Sequence, residues 1–132
     1  MRKRWLLPLA FGLIWAVAAC GNVETGSTST MTEHRHMPQI DVQVQVNGTS
    51  ATVKVSTDMH ISPEQYGKAR KEGEGHIHMY LDNGEKIGVT QEAKVFENLT
   101  PGVHTIRVSL HNNDHTPYDV TKSVEFTIAP PK

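Results

Sequence analysis

Between residues 40 and 55 the chain alternates in a way that only one kind of element can use. Ile40, Val42, Val44 and Val46 are separated by Asp41, Gln43 and Gln45. Side chains on an extended strand point to opposite faces with a period of two, so this stretch buries one face and wets the other as a β-strand. Asn47-Gly48 follows, the dipeptide that best tolerates the positive φ angles of a two-residue hairpin turn. Ala51, Val53 and Val55 then resume the alternation. A lone hairpin is marginal in water, so the remaining chain must add strands to it.

It does so at short, regular intervals. The spacing predicts strands over residues 75–82, 86–89, 93–96, 103–111 and 120–128, separated by Asn83-Gly84, by Leu99-Thr100-Pro101-Gly102 and by the polar stretch 112–117. Residues 57–74 interrupt them. There Ser62 reads as a helix N-cap, Pro63 as the first helical residue and Gln65 as its capping partner, which predicts one or two helical turns ending near Gly73. About seven short strands with Gly, Asn and Pro turns make an all-β protein, an immunoglobulin-like β-sandwich with one short helix in the loop before the third strand. The corner Leu99-Thr100-Pro101-Gly102-Val103-His104 resembles the Leu-x-Pro-Gly-x-x-Tyr corner of fibronectin type III domains, with His104 near the tyrosine position.

Strand parity sorts the histidines, of which there are 8. In residues 75–82, Ile77, Met79 and Leu81 share the core face, so Met79 is a packing residue. His76, His78 and Tyr80 share the other face. In residues 103–111, His104 lies with Ile106, Val108 and Leu110, as a hydrogen-bonded histidine at the core edge, while His111 points outward. The third and sixth strands of such a sandwich pair antiparallel. That sets His76 beside His111, both on an outward face, and the loop after His111 carries Asp114 and His115. His76, His78, His111 and His115 thus converge at one end.

Two residues apart on one strand face, His76 and His78 have Cα atoms about 6.5–7 Å from each other, near enough for both rings to reach one ion. A third and fourth imidazole complete a site for copper or zinc. Met59 and His60 lie in the loop at that end, and His34, His36 and Met37 repeat the His-x-His-Met tetrad upstream. These five are auxiliary donors. The thioethers of Met31, Met37 and Met59 favour copper, since Met is a ligand for Cu(I) rather than zinc. The competing reading is a solvated polar end whose histidines are incidental. Ser109, His111 and Asp114 include the residue types of a catalytic triad, but no nucleophile elbow or Gly-rich oxyanion loop accompanies them, and no enzymatic role is expected.

The chain opens with Arg2, Lys3 and Arg4, then an apolar run from Trp5 to Ala16, then Val17-Ala18-Ala19-Cys20. This is a secretory leader whose end resembles a bacterial lipobox, which implies cleavage after residue 19 and lipid on Cys20, the only cysteine. Residues 20–38 are rich in Gly, Ser, Thr and charge without apolar periodicity, the composition of a flexible tether. The sandwich then occupies residues 39–132. Of 13 basic residues three fall in the leader, leaving 10 against 14 acidic ones, a net charge of −4 with His neutral. With no basic stripe, no nucleic-acid partner is expected. The protein is expected at the cell membrane, lipid-anchored on the extracytoplasmic side.

Gly75-His76-Ile77-His78-Met79-Tyr80-Leu81-Asp82, Leu99-Thr100-Pro101-Gly102-Val103-His104 and Asn113-Asp114-His115 together resemble a group of exported bacterial domains. Their pattern is Gly-His-x-His-x-Tyr-x-Asp, then Leu-x-Pro-Gly-x-His, then Asn-Asp-His, and the likeness spans about residues 50–120. It implies that His76, His78, His104 and His115 belong to one pattern, and it associates the chain with small envelope sandwiches linked to copper handling. The sequence therefore supports a lipid-anchored extracytoplasmic metal-binding protein, most simply for copper. The alternative is a metal-free binding module of the cell envelope with a protein or polymer partner.

Overall fold

The computed structural model describes residues 36–132. The leader, Cys20, Met31 and His34 lie outside the described residues. Eight strands follow in order: β1 (Ile40–Asn47), β2 (Ser50–Thr57), β3 (His60–Ile61), β4 (Glu74–Leu81), β5 (Ile87–Val89), β6 (Ala93–Phe96), β7 (Gly102–His111) and β8 (Pro117–Ile128). The two-residue β3 is the strand that periodicity does not reveal, because two residues carry no period. One sheet runs β1-β2-β6. The other runs β3-β4-β7-β8, with β5 also paired to β4.

The core lies between the sheets and is built from the apolar parity that the sequence displays. Val42, Ala51, Val53 and Val55 come from the first sheet, and Ile77, Met79, Ile106, Val108 and Leu110 from the second, all buried. Each fully buried aliphatic side chain of Val or Ile size contributes about 1.5–3 kcal/mol. Register follows from this alternation, since a one-residue slip would turn every valine to solvent. β4 and β7 pair antiparallel with His76 opposite His111 and His78 opposite Ser109, the arrangement the third-to-sixth strand pairing requires.

Two local features differ from expectation. The helix over residues 62–73 shrinks to a single 3-10 turn, Pro63–Gln65. Gly67 and Gly73 take φ of +76° and +74°, and the Gly67 amide donates to the Asn113 carbonyl at 2.8 Å. An amide spent on a distant strand loop cannot propagate a helix. At the other end, the chain packs on the sandwich before residue 39: Pro38 is buried, the Gln39 amide donates to Asp58 Oδ1 at 2.6 Å, and His36 Nε2 lies 3.2 Å from Asp58 Oδ2.

Candidate metal centre

The site is assembled where β4 begins and β7 ends. Gly75 allows the two strands to meet there: a Cβ at this position would lie 1.9 Å from the His111 carbonyl oxygen. Beyond His111 the β7–β8 register shifts, with Leu110 opposite Val120 but His111 opposite Pro117. This irregularity at the sheet end frees the connecting loop to fold back toward β4. The loop is braced from inside. The Asn112 amide donates to the Thr116 carbonyl at 2.8 Å, the Asn112 side chain donates to the same carbonyl at 3.1 Å, and Asp114 Oδ1 accepts from the Thr116 amide at 3.0 Å. Asn112 and Asn113 are fully buried. His115, with φ of +69°, is thereby turned toward β4.

Three imidazoles meet. His76 Nε2 lies 2.9 Å from His78 Nε2 and 3.0 Å from His115 Nδ1. The ligating nitrogens of His76, His78 and His115 all lie within 4.8 Å of one another. Nitrogens bound to zinc sit about 2.0–2.1 Å from the ion and hence about 3.3–3.5 Å apart. Small ring rotations, opening the two short pairs and closing the wide one, bring this trio onto an ion.

His111 is at the cluster but placed differently. Its ring stacks on His78 with centroids 3.7 Å apart, while its Nε2 lies 2.9 Å from Ser109 Oγ and its Nδ1 lies 3.0 Å from the His115 carbonyl. Both nitrogens are engaged, so His111 orients His115 rather than joining the trio. The auxiliary donors are not gathered. Met59 is buried in the core, because parity at the end of β2 turns it inward and His60 outward. His60 is exposed, His36 faces Asp58 and Met37 is 57% exposed.

The sheet face that bears His76 and His78 is not open to solvent, whereas His115, on the loop after β7, is exposed. His76 is 0% and His78 2% exposed. Burial is the main reason their pKa values fall to about 4 and about 3, with the neighbouring histidines and Lys86 adding to the effect. Burial also lowers that of His111. Near neutral pH His76 and His78 therefore carry lone pairs rather than charge, which is the state a metal ligand needs. Their Nδ1 atoms have no hydrogen-bond partner.

The covering residue is Tyr66, which the sequence reading did not single out. Its ring centroid lies 4.5 Å from that of His76 and 4.8 Å from that of His115. A Cβ at Gly88 would fall 2.5 Å from the Tyr66 hydroxyl, and Gly88 pairs with His78 across β4 and β5. A glycine inside a strand marks such a close approach, and Gly88 was the available signal. His104 stays apart from the trio, as its parity requires. Its Nδ1 lies 2.7 Å from Asp82 Oδ2 and its Nε2 lies 2.7 Å from the Thr100 carbonyl.

No family model matches the chain, and no curated protein matches it. Among solved structures, the PKD1 domain of Vibrio anguillarum Epp is 12% identical with a TM-score of 0.50, over 74% of this chain and 99% of that one. The PKD1 domain from Vibrio cholerae metalloprotease PrtV is 10% identical with a TM-score of 0.48, over 72% of this chain and 100% of that one. The fold is an immunoglobulin-like β-sandwich. At this identity the likeness to the first of these domains concerns the fold alone, and it agrees with the class that strand count and turn spacing give. Among the described residues no helix is long and apolar enough to cross a membrane.

Proposed function

We propose that this protein is a lipid-anchored, extracytoplasmic transition-metal-binding protein that holds copper or zinc through His76, His78 and His115, with a role in handling or delivering the ion. One observation carries the reading: three imidazole nitrogens from segments about 40 residues apart in the chain converge within 4.8 Å, two of them on buried rings. Such a cluster is poor material for stability. A buried polar atom without a partner costs about 1–3 kcal/mol, and apolar side chains at positions 76 and 78 would avoid that cost. A local rule broken this way points to a functional site. His111 supports the site by fixing the His115 carbonyl and stacking on His78. The leader and the lipobox-like ending place the site outside the cytoplasm, tethered through Cys20 to the membrane. Met59 belongs to the core and Met37 to the surface, so neither thioether reaches the trio, and imidazole nitrogen suits copper and zinc alike.

Calorimetric titration with Cu(II) and with Zn(II) tests the reading. His76→Ala, His78→Ala and His115→Ala are each expected to weaken binding by at least about 10–100-fold, the loss typical even for groups that only support a ligand. His60→Ala and His36→Ala are expected to bind like the parent. If the parent protein binds no ion, including Cu(I), more tightly than about 10 μM, near −7 kcal/mol, the metal reading fails and a metal-free envelope-binding role replaces it.

A further inference from the structure

Resting on the metal reading above, we infer that the site is built for monovalent copper, and that Tyr66 is part of it as an aromatic wall. The first ground is charge. The converging group contains three histidines and no carboxylate. The carboxylates of Glu74 and Asp114 are engaged elsewhere: Glu74 Oε1 with Lys71 at 2.5 Å, Glu74 Oε2 with Asn113 at 3.5 Å, and Asp114 Oδ1 with the Thr116 hydroxyl at 2.5 Å. The cation Lys86 acts on His76, His78 and His111 alike, whereas the carboxylate of Asp119 acts on His111 and on neither His76 nor His78. An ion held here by neutral imidazoles keeps its whole charge between two buried rings and one exposed one, His115, and so in a place only partly open to water. The solvation cost of burying an ion is Born-like and grows as the square of charge, so a divalent ion bears about four times the cost of a monovalent one.

The second ground is coordination number. Zinc seeks four ligands, and a three-residue zinc site keeps an open position for water. Here the fourth histidine has both nitrogens engaged, by Ser109 and by the His115 carbonyl. Tyr66 packs on two of the three ligand rings and is held there by the space that Gly88 leaves. Three nitrogens with an aromatic ring packed on two of their imidazoles suit a monovalent copper ion, which is satisfied by two or three ligands. An aromatic ring also favours a nearby cation by its quadrupole, most strongly when water is excluded. Tyr66 is 41% exposed, so its outer side meets solvent and its inner side meets the imidazoles. That is the placement of a cover rather than of a core residue.

The test compares ions on the full chain in detergent. Cu(I), supplied anaerobically with ascorbate, is competed against bicinchoninate, while Zn(II) and Cu(II) are titrated calorimetrically. Cu(I) is expected to bind at least about 100-fold more tightly than Zn(II), a gap of about 2.7 kcal/mol, with three nitrogen neighbours by X-ray absorption. Tyr66→Phe keeps the wall and is expected to keep that gap. Tyr66→Ala is expected to weaken Cu(I) by roughly tenfold and to leave Zn(II) within about twofold. Gly88→Ala, which replaces neither a ligand nor Tyr66 but sets a Cβ against the phenol, is expected to act like Tyr66→Ala. Zn(II) or Cu(II) bound as tightly as Cu(I) would overturn the inference while leaving the metal reading intact. Equal Cu(I) affinity in Tyr66→Ala would remove Tyr66 from the site, and a loss in Tyr66→Phe matching that in Tyr66→Ala would make the hydroxyl a ligand rather than the ring a wall. Failure of every ion to bind the parent would sink the metal reading itself.

Discussion

His104 and His78 sit on the paired strands β7 and β4, and their surroundings push them in opposite directions. His104 faces two acceptors, the Thr100 carbonyl and the Asp82 carboxylate. Only the imidazolium can donate to both, so its pKa is raised, by the Thr100 carbonyl first and Asp82 second. Asp82 is held below its usual value, by the Thr105 amide first and His104 second. The consequence for stability has a definite sign. A histidine whose folded pKa lies above its unfolded value of about 6.5 stabilises fully below that pH, and the contribution is lost as pH rises through the folded pKa. His76 and His78 have the reverse sign: with folded values near 4 and 3, they destabilise the metal-free protein as pH falls below about 6.5. Replacing Asp82 by Asn is expected to lower the NMR-measured pKa of His104. It is also expected to cost most stability between about pH 4.5 and 6.5, with the deficit in urea midpoint narrowing as pH rises through the folded value. A deficit constant from pH 5 to pH 9 would mean that His104 is not the titrating group.

At the scale of elements, the junction of β4 with β7 decides whether there is a site. Gly75 lies where a Cβ would overlap the His111 carbonyl, so Gly75→Ala must part the strands at the end where His76 faces His111. Overpacking of a rigid neighbour costs about 1–3 kcal/mol or more. The expected result is a lower thermal midpoint, by roughly 4–8 °C for each kcal/mol in a domain of this size, together with weaker metal binding. Gly48→Ala, a turn glycine with open space around its Cβ position, is the control: it strains a positive φ but is expected to leave the ion affinity of a folded sample unchanged. Equal losses of affinity in the two variants would show that Gly75 has no special part in the site. The loop after β7 matters for the same reason. Buried Asn112 and Asn113 and the Asp114 turn hold His115 in a left-handed conformation, so the proposed third ligand is prepositioned and would lose little conformational entropy on binding an ion.

At the scale of the molecule, the proposed lipid anchor and tether set where the site works. Cys20→Ala is expected to release the protein from the membrane fraction or leave its leader uncleaved, as judged by fractionation and mass spectrometry; a mature chain with an unmodified Cys20 would refute the anchor. The contacts of residues 36–39 refine the tether. Removing residues 21–35 is expected to leave the thermal midpoint nearly unchanged. Removing residues 21–38 also exposes the surface under buried Pro38 and breaks the His36–Asp58 pair. The exposed pair contributes only about 0–1 kcal/mol, and His36→Ala in the full chain measures its share separately, so any loss beyond that of His36→Ala comes from residues 37 and 38.

The strands and their inner faces were legible in the sequence, because period-two alternation and turn residues are local signals, and the pairing of β4 with β7 followed once the strand count gave the sandwich class, in which those strands are neighbours. The sequence also determined that His76, His78, His111 and His115 share one end of the sandwich, and that Met79 and His104 do not join them. The tertiary structure alone decided which nitrogens meet. Parity tells on which side of a sheet His111 lies, but not that Ser109 and the His115 carbonyl occupy its nitrogens. It places His76 and His78 on an outer face, but not under Tyr66, because residues 62–73 have no period from which their path over the sheet can be read. Met59 is a core residue because the inward parity of Val53 and Val55 carries on past the end of β2, which the sequence offers only once the chain is known to stay extended into β3, a strand too short to announce itself. Faces follow from local stereochemistry, whereas burial and ligand geometry depend on which distant segment lies on top.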